Sequence, residues 1–153
     1  MDRNLQITRA INFASAKHIT QTDKSGVTYV FHPIGVARRA AMKRAKTEVV
    51  VAAILHDVVE DCGVPLGEIV DMFGAEVARL VQAISRDPKT ETYAEFIQRI
   101  IRAGKDAILL KICDTEDNLD PDRSEKLSPQ ERAFLHKRYG KSLPVLQEAY
   151  DAA

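Results

Sequence analysis

The segment VVVAAILHDVVED, residues 49–61, runs seven apolar residues straight into His56, Asp57, Glu60 and Asp61. An apolar run of this kind predicts a helix buried on nearly all sides. Unpaired charges in such a place cost on the order of several kcal/mol each, so something must compensate them. If a helix continues from Thr47 through Val59, His56 and Glu60 stand four residues apart, as do Asp57 and Asp61, and the four form one polar strip. A metal ion held by His56 and Asp57, with Glu60 and Asp61 one turn further on, supplies the compensation.

Two more segments break pattern in the same way. AILLKICDTEDNLD, residues 107–120, is a core-type helix that ends in Lys111, Asp114 and Asn118 at intervals of three and four. In YVFHP, residues 29–33, His32 follows three large apolar residues at the start of a helix. Two imidazoles and two carboxylates suit Mn²⁺, Fe²⁺ or Zn²⁺ better than Ca²⁺ or Mg²⁺. Each residue taken alone also reads as a satisfied core histidine or a capping aspartate. The three breaks together favour a metal site.

The elements that must position these groups read as helices. Leu5, Ile7, Ile11, Phe13 and Ala14 mark one face of a first helix. His32 to Ala45 is amphipathic, with Pro33 near its start. Thr47 is placed to cap a third helix, Pro65 opens a short fourth, and Gly74 separates that from a fifth over Ala75 to Ile84. Tyr93 to Arg102 and Lys105 to Asn118 follow. Ser128-Pro129-Gln130-Glu131 combines an N-cap, a proline at the first helical position and a capping-box glutamate, so a helix begins there and runs to about Tyr139. Pro144 is expected to begin a last helix. Only Val27 to Phe31 hints at a strand. The expectation is an all-α bundle of about eight helices in a single domain over residues 1–153.

At 153 residues the chain is long enough for a real core. Apolar residues at 45% and charged residues at 29% exclude a disordered chain. Lys plus Arg and Asp plus Glu are both 22, and this balance argues against a nucleic-acid or anionic-membrane partner. The charged N-terminus MDRNLQITRA does not resemble a signal peptide, and the longest apolar run falls far short of the ~20 residues of a membrane span. Two cysteines, Cys62 and Cys113, read as reduced thiols. A soluble cytoplasmic protein is expected. Oligomeric state is not legible.

HP (32–33), LHDVVED (55–61), FGAEVARLV (73–81), YAEF (93–96) and LKICDTEDN (110–118) occur in an order that resembles HD-domain phosphohydrolases. More narrowly, the chain resembles the hydrolase domain of RelA/SpoT-type alarmone enzymes and the stand-alone small alarmone hydrolases, most strongly over 13–118. The resemblance implies an HD fold with one Mn²⁺ on His32, His56, Asp57 and Asp114. Glu60 and Asp61 match the family's catalytic acidic pair, and Lys24, Tyr29 and Asn118 match positions that touch substrate. The implied reaction removes the 3′-pyrophosphate of (p)ppGpp or (p)ppApp, giving GDP/GTP or ADP/ATP and pyrophosphate. Two alternatives stand beside it: a phosphohydrolase of another nucleotide ester, of nucleotidase or NADPH 2′-phosphatase type, and a non-catalytic nucleotide-binding module.

The chain departs from the pattern at Asp23, where the usual arginine of an Arg-Lys pair is missing, leaving guanine or adenine preference open. After Asn118 it reads LDPDR, so substrate contacts there do not carry over. His18 reads as a packing residue, His136 as solvated, Cys62 as a small buried residue, Cys113 as facing about 100° away from Asp114 on its helix, and Arg38-Arg39 with Lys43-Arg44 as the wet face of a helix.

Overall fold

A computed structural model describes all residues, Met1–Ala153. The chain is helical throughout: α1 (Arg3–Lys17), α2 (Phe31–Met42), α3 (Thr47–Leu55), α4 (Val58–Cys62), α5 (Leu66–Phe73), α6 (Ala75–Ile84), α7 (Tyr93–Ala103), α8 (Lys105–Asn118), α9 (Pro121–Ser124) and α10 (Pro129–Ala152). The only β pairing is an isolated bridge between Thr22 and Thr28, so the strand hint at Val27 to Phe31 reduces to one residue pair. No helix is long and apolar enough to cross a membrane.

The two segments that break pattern in sequence are the two central helices. All seven residues from Val49 to Leu55 in α3 are buried, and α3 packs against α1, α2, α6 and α8. Helix α8 packs in turn against α2, α3, α7 and α10, and buries Ala107 to Thr115 without interruption. Their apolar parts carry the core, with Ile54, Leu55, Leu110 and Ile112 almost fully enclosed. Their C-terminal ends meet near the start of α2.

The helix expected from Thr47 to Val59 is split. It stops at Leu55, and a short α4 starts at Val58. The His56 ring explains the stop: Nδ1–H donates to the Ala53 carbonyl at 2.7 Å, the group that a continuing helix would offer to the Asp57 N–H. Helix α4 then ends at Gly63, in the left-handed region at φ 66°. Thr47 does not cap α3; Lys46 holds the cap position and makes no side-chain cap bond. Helix α2 also ends earlier than Ala45, because the chain turns through Arg44 at φ 59°.

The capping box at Ser128 is present, its hydroxyl accepting from the Glu131 N–H at 3.1 Å. The helix it opens does not stop near Tyr139 but continues through Pro144 to Ala152. A proline inside a helix costs about 3 kcal/mol. Leu143, Leu146, Ala149 and Tyr150 on α10 lie against the core on both sides of Pro144, and their burial offsets that cost. Against the nine helical segments named from the sequence, the α3–α4 break and the single turn α9 add two and the join in α10 removes one, giving ten.

Candidate active site

His32 from the first turn of α2, His56 and Asp57 from the α3–α4 break, and Asp114 from α8 converge. His56 Nε2 lies 3.0 Å from Asp57 Oδ2 and 3.3 Å from Asp114 Oδ1. His32 Nε2 lies 3.0 Å from Asp114 Oδ1 and 3.7 Å from Asp57 Oδ2. Four ligand atoms thus form a closed ring with edges of 3.0 to 3.7 Å. Ligands about 2.1 Å from a common centre stand roughly 3.0–3.4 Å apart in octahedral or tetrahedral arrangements.

The polarity of the donors supports the same reading. His56 Nδ1 is committed to Ala53, and His56 Nε2 is buried with no hydrogen-bond partner despite its two carboxylate neighbours. His32 Nδ1 lies 2.7 Å from Asp117 Oδ2. The Ala53 carbonyl can only accept, so the His56 ring carries its hydrogen on Nδ1; both rings present Nε2 inward, the orientation metal-bound imidazoles require. His32, His56 and Asp57 form a cluster that can hold a divalent ion, and these donors fit one well.

The carboxylates are held in their charged form. Burial pushes the Asp57 carboxyl upward, but His56 and the Tyr29 hydroxyl, which donates to Asp57 Oδ2, pull it below the usual range. Burial opposes ionisation of Asp114 too, and it is outweighed by the Lys111 ammonium, 2.7 Å from Oδ2, and by His56. Lys111 is itself buried, yet Asp114 keeps its pKa above the ordinary lysine value. The aromatic rings of Tyr93, Phe96 and Tyr139 surround the ammonium with centroids at 5.2–5.8 Å. Asn118 Nδ2 donates to Asp114 Oδ1 at 3.2 Å.

Glu60 and Asp61 are both open to solvent beside this cluster, but they point to different partners. Glu60 lines the same cavity, of about 280 Å³, and accepts from the Arg86 N–H. Partial burial raises its pKa, with Asp57 and Asp61 adding to the rise and Arg86 opposing it. Asp61 Oδ2 accepts from Gln21 Nε2 at 3.0 Å. Gln21 is braced by His18, whose Nδ1–H donates to its Oε1 at 2.7 Å. His18 is buried, as packing requires, and also supports this chain of contacts to Asp61.

A second cavity of about 350 Å³ adjoins the first, sharing Tyr29, Asn118, Arg138 and Tyr139 as common wall. Together they reach the size of small-molecule sites, about 300–1,000 Å³. Lys24 is exposed and lines this outer cavity, away from the ligand cluster. A cleft of about 440 Å³ between α7 and α10 offers apolar walls and cations but no carboxylate or imidazole.

Several groups at the site have no counterpart in the sequence reading. Arg86 and Arg138 line the ligand cavity and lie over the Tyr93 ring, at 5.6 and 4.6 Å. Arg138 sits on a helix of mixed polarity, where periodicity gives no signal. Arg39 is not simply on the wet face of α2: it pairs with Asp117 at 3.4 Å, Asp120 at 2.6 Å and Glu116 at 3.7 Å. Asp23 closes a turn, its Oδ1 accepting from the Ser25 N–H at 2.9 Å, the Ser25 hydroxyl at 2.7 Å and the Val27 N–H at 3.0 Å. Cys62 is half-buried and Cys113 is buried, each a free thiol.

The chain is similar in sequence and in fold to known proteins. The HD-domain family profile matches residues 10–108. Guanosine-3′,5′-bis(diphosphate) 3′-pyrophosphohydrolase MESH1 of Danio rerio is 40% identical over 116 residues, covering 71% of this chain and 64% of the relative. Its Homo sapiens counterpart is 39% identical over 121 residues, covering 74% and 68%. The chain thus spans about two thirds of the length of these relatives. The solved structure of a metazoan ortholog of SpoT that hydrolyzes ppGpp superposes with a TM-score of 0.78 at 25% identity, over 96% of this chain and 92% of that one. The chain belongs to the HD-domain family, alongside MESH1- and SpoT-type (p)ppGpp hydrolases.

Proposed function

We propose that the chain is a metal-dependent pyrophosphohydrolase that removes the 3′-pyrophosphate of (p)ppGpp or (p)ppApp. Products are GDP or GTP, or the adenine equivalents, and pyrophosphate. The observation that carries this reading is the closed ring of His32, His56, Asp57 and Asp114, with its buried, unpartnered His56 Nε2, beside Glu60. The names of the relatives supply the substrate class.

In this reading His32, His56, Asp57 and Asp114 hold Mn²⁺. A divalent ion there supplies Lewis acidity, lowering the pKa of a water toward ~7 and offsetting phosphoryl charge. Glu60, open to the cavity and with its pKa raised, accepts the proton as water attacks the phosphorus joined to the ribose O3′. The P–O3′ bond breaks, and O3′ takes a proton as the nucleoside diphosphate or triphosphate leaves. Asp61, tied to Gln21, orients the water with Glu60. Tyr29 steadies Asp57 and with Asn118 lines the passage between the two cavities, while Lys24 meets the nucleotide further out. Arg86 and Arg138 at the cavity wall complement the pyrophosphate charge. The protein acts in the cytoplasm in this reading, on a small-molecule substrate rather than on nucleic acid or a membrane.

The reading is tested by stripping the protein with a chelator and titrating Mn²⁺ back. Turnover that vanishes and returns at one ion per chain supports it; turnover indifferent to chelation contradicts it.

A further inference from the structure

Asp117 is one helical turn beyond Asp114 on α8, and it is buried. Nothing in the assigned ligand set or acidic pair uses it. Its Oδ2 accepts from His32 Nδ1–H at 2.7 Å and from Arg123 Nη1 at 3.3 Å, and its Oδ1 accepts from Arg39 Nε–H at 3.4 Å. Arg39 is anchored in turn on Asp120 Oδ2 at 2.6 Å. The carboxylate also lies close against Gly35, on α2 one turn after His32. A Cβ at position 35 would collide with Asp117 Oδ1. Two arginines from different segments and a missing side chain on α2 thus define a seat for this one carboxylate.

We propose that Asp117 is the positioning residue for His32: seated by Arg39, Arg123 and Gly35, its carboxylate fixes the hydrogen on Nδ1 and aims Nε2 at the ion. This rests on the metal site described under Proposed function. An ionised carboxylate only accepts, so it selects the Nδ1–H tautomer. It also makes the imidazole a better donor at Nε2 and removes the ring's rotational freedom. Arg39 and Arg123 donate to the carboxylate and hold it in place against the His32 ring. Gly35 acts through space alone, which separates geometry from charge.

The test is Mn²⁺ affinity of the full-length chain, read from the electron paramagnetic resonance signal of free Mn²⁺, beside circular dichroism for the fold. Removing a carboxylate behind a ligating histidine costs about 10–100-fold in metal affinity. Asp117→Ala and Gly35→Ala should each raise Kd by that factor with the helical signal unchanged, and Asp117→Asn, which keeps an acceptor, should fall between. Long-range ¹⁵N–¹H correlations of the wild-type protein loaded with Zn²⁺ give a readout that no variant's folding can spoil, and should show His32 protonated on Nδ1. Affinity within twofold of wild type in both alanine variants, or a His32 hydrogen on Nε2, overturns the proposal while leaving the metal site intact. A wild-type chain that binds no Mn²⁺ overturns both.

Discussion

The Lys111 ammonium sits 2.7 Å from Asp114 Oδ2, three residues along the same buried helix, while Asp114 Oδ1 faces His32 and His56. One oxygen of the carboxylate is committed to Lys111, while the other, which also accepts from Asn118 at 3.2 Å, faces the ligand cluster. The pair holds Asp114 ionised in the core, where burial would otherwise neutralise it. Lys111→Met keeps the stem volume and removes the charge, leaving Asp114 short of its partner. It should destabilise the metal-free protein by about 3 kcal/mol. Urea unfolding with chelator present measures this. A variant as stable as the wild type contradicts the structural role assigned to the pair.

Metal and proton compete for His56. In the metal-free chain burial lowers its pKa, but Asp57 and Asp114 outweigh burial and hold it well above the ordinary histidine value. A raised pKa favours the protonated ring in the metal-free chain, and a metal ligand must be neutral. Mn²⁺ binding should therefore release protons, and affinity should fall as pH drops. Calorimetry in buffers of different ionisation enthalpy reads the proton directly. A binding enthalpy indifferent to buffer runs against it.

Asp23 takes the place of the arginine that the family resemblance leads one to expect, yet its Oδ1 is engaged three times within its own turn. Asp23→Ala should loosen that turn and weaken both substrates alike. The ratio of kcat/KM for guanosine and adenosine tetraphosphate should stay within about twofold, well inside the 1.4 kcal/mol that a tenfold change in discrimination represents. A tenfold change in the ratio would make Asp23 a base-reading residue instead.

Much of this site was legible because its residues violate the apolar rule locally. His56, Asp57, Asp114 and His32 each end or interrupt a hydrophobic run, and a buried polar group demands a reason. The all-α character was equally plain from spacing and caps, the Ser128 box above all. The α3–α4 break was hidden, because it depends on a ring bonding to the carbonyl three residues back rather than on a proline or glycine. Pro144 misled in the other direction: the local signal for a helix end lost to packing of α10 on both sides. Asp117, Arg39, Arg86 and Arg138 stayed invisible because their partners lie tens of residues away, and a charged residue on an amphipathic helix reads as solvated by default.

The central claim is that Glu60 and the four-residue cluster hydrolyse a 3′-pyrophosphate. It is tested most directly by incubating the Mn²⁺-loaded protein separately with guanosine and adenosine tetraphosphate and resolving the products by anion exchange, with Glu60→Gln alongside. Nucleoside diphosphate and pyrophosphate should appear in equal amounts from at least one substrate. The variant should lose about 10²–10⁴-fold in rate while its Mn²⁺ affinity stays within a few-fold. Orthophosphate in place of pyrophosphate, no turnover of either substrate, or full activity in the variant would contradict it.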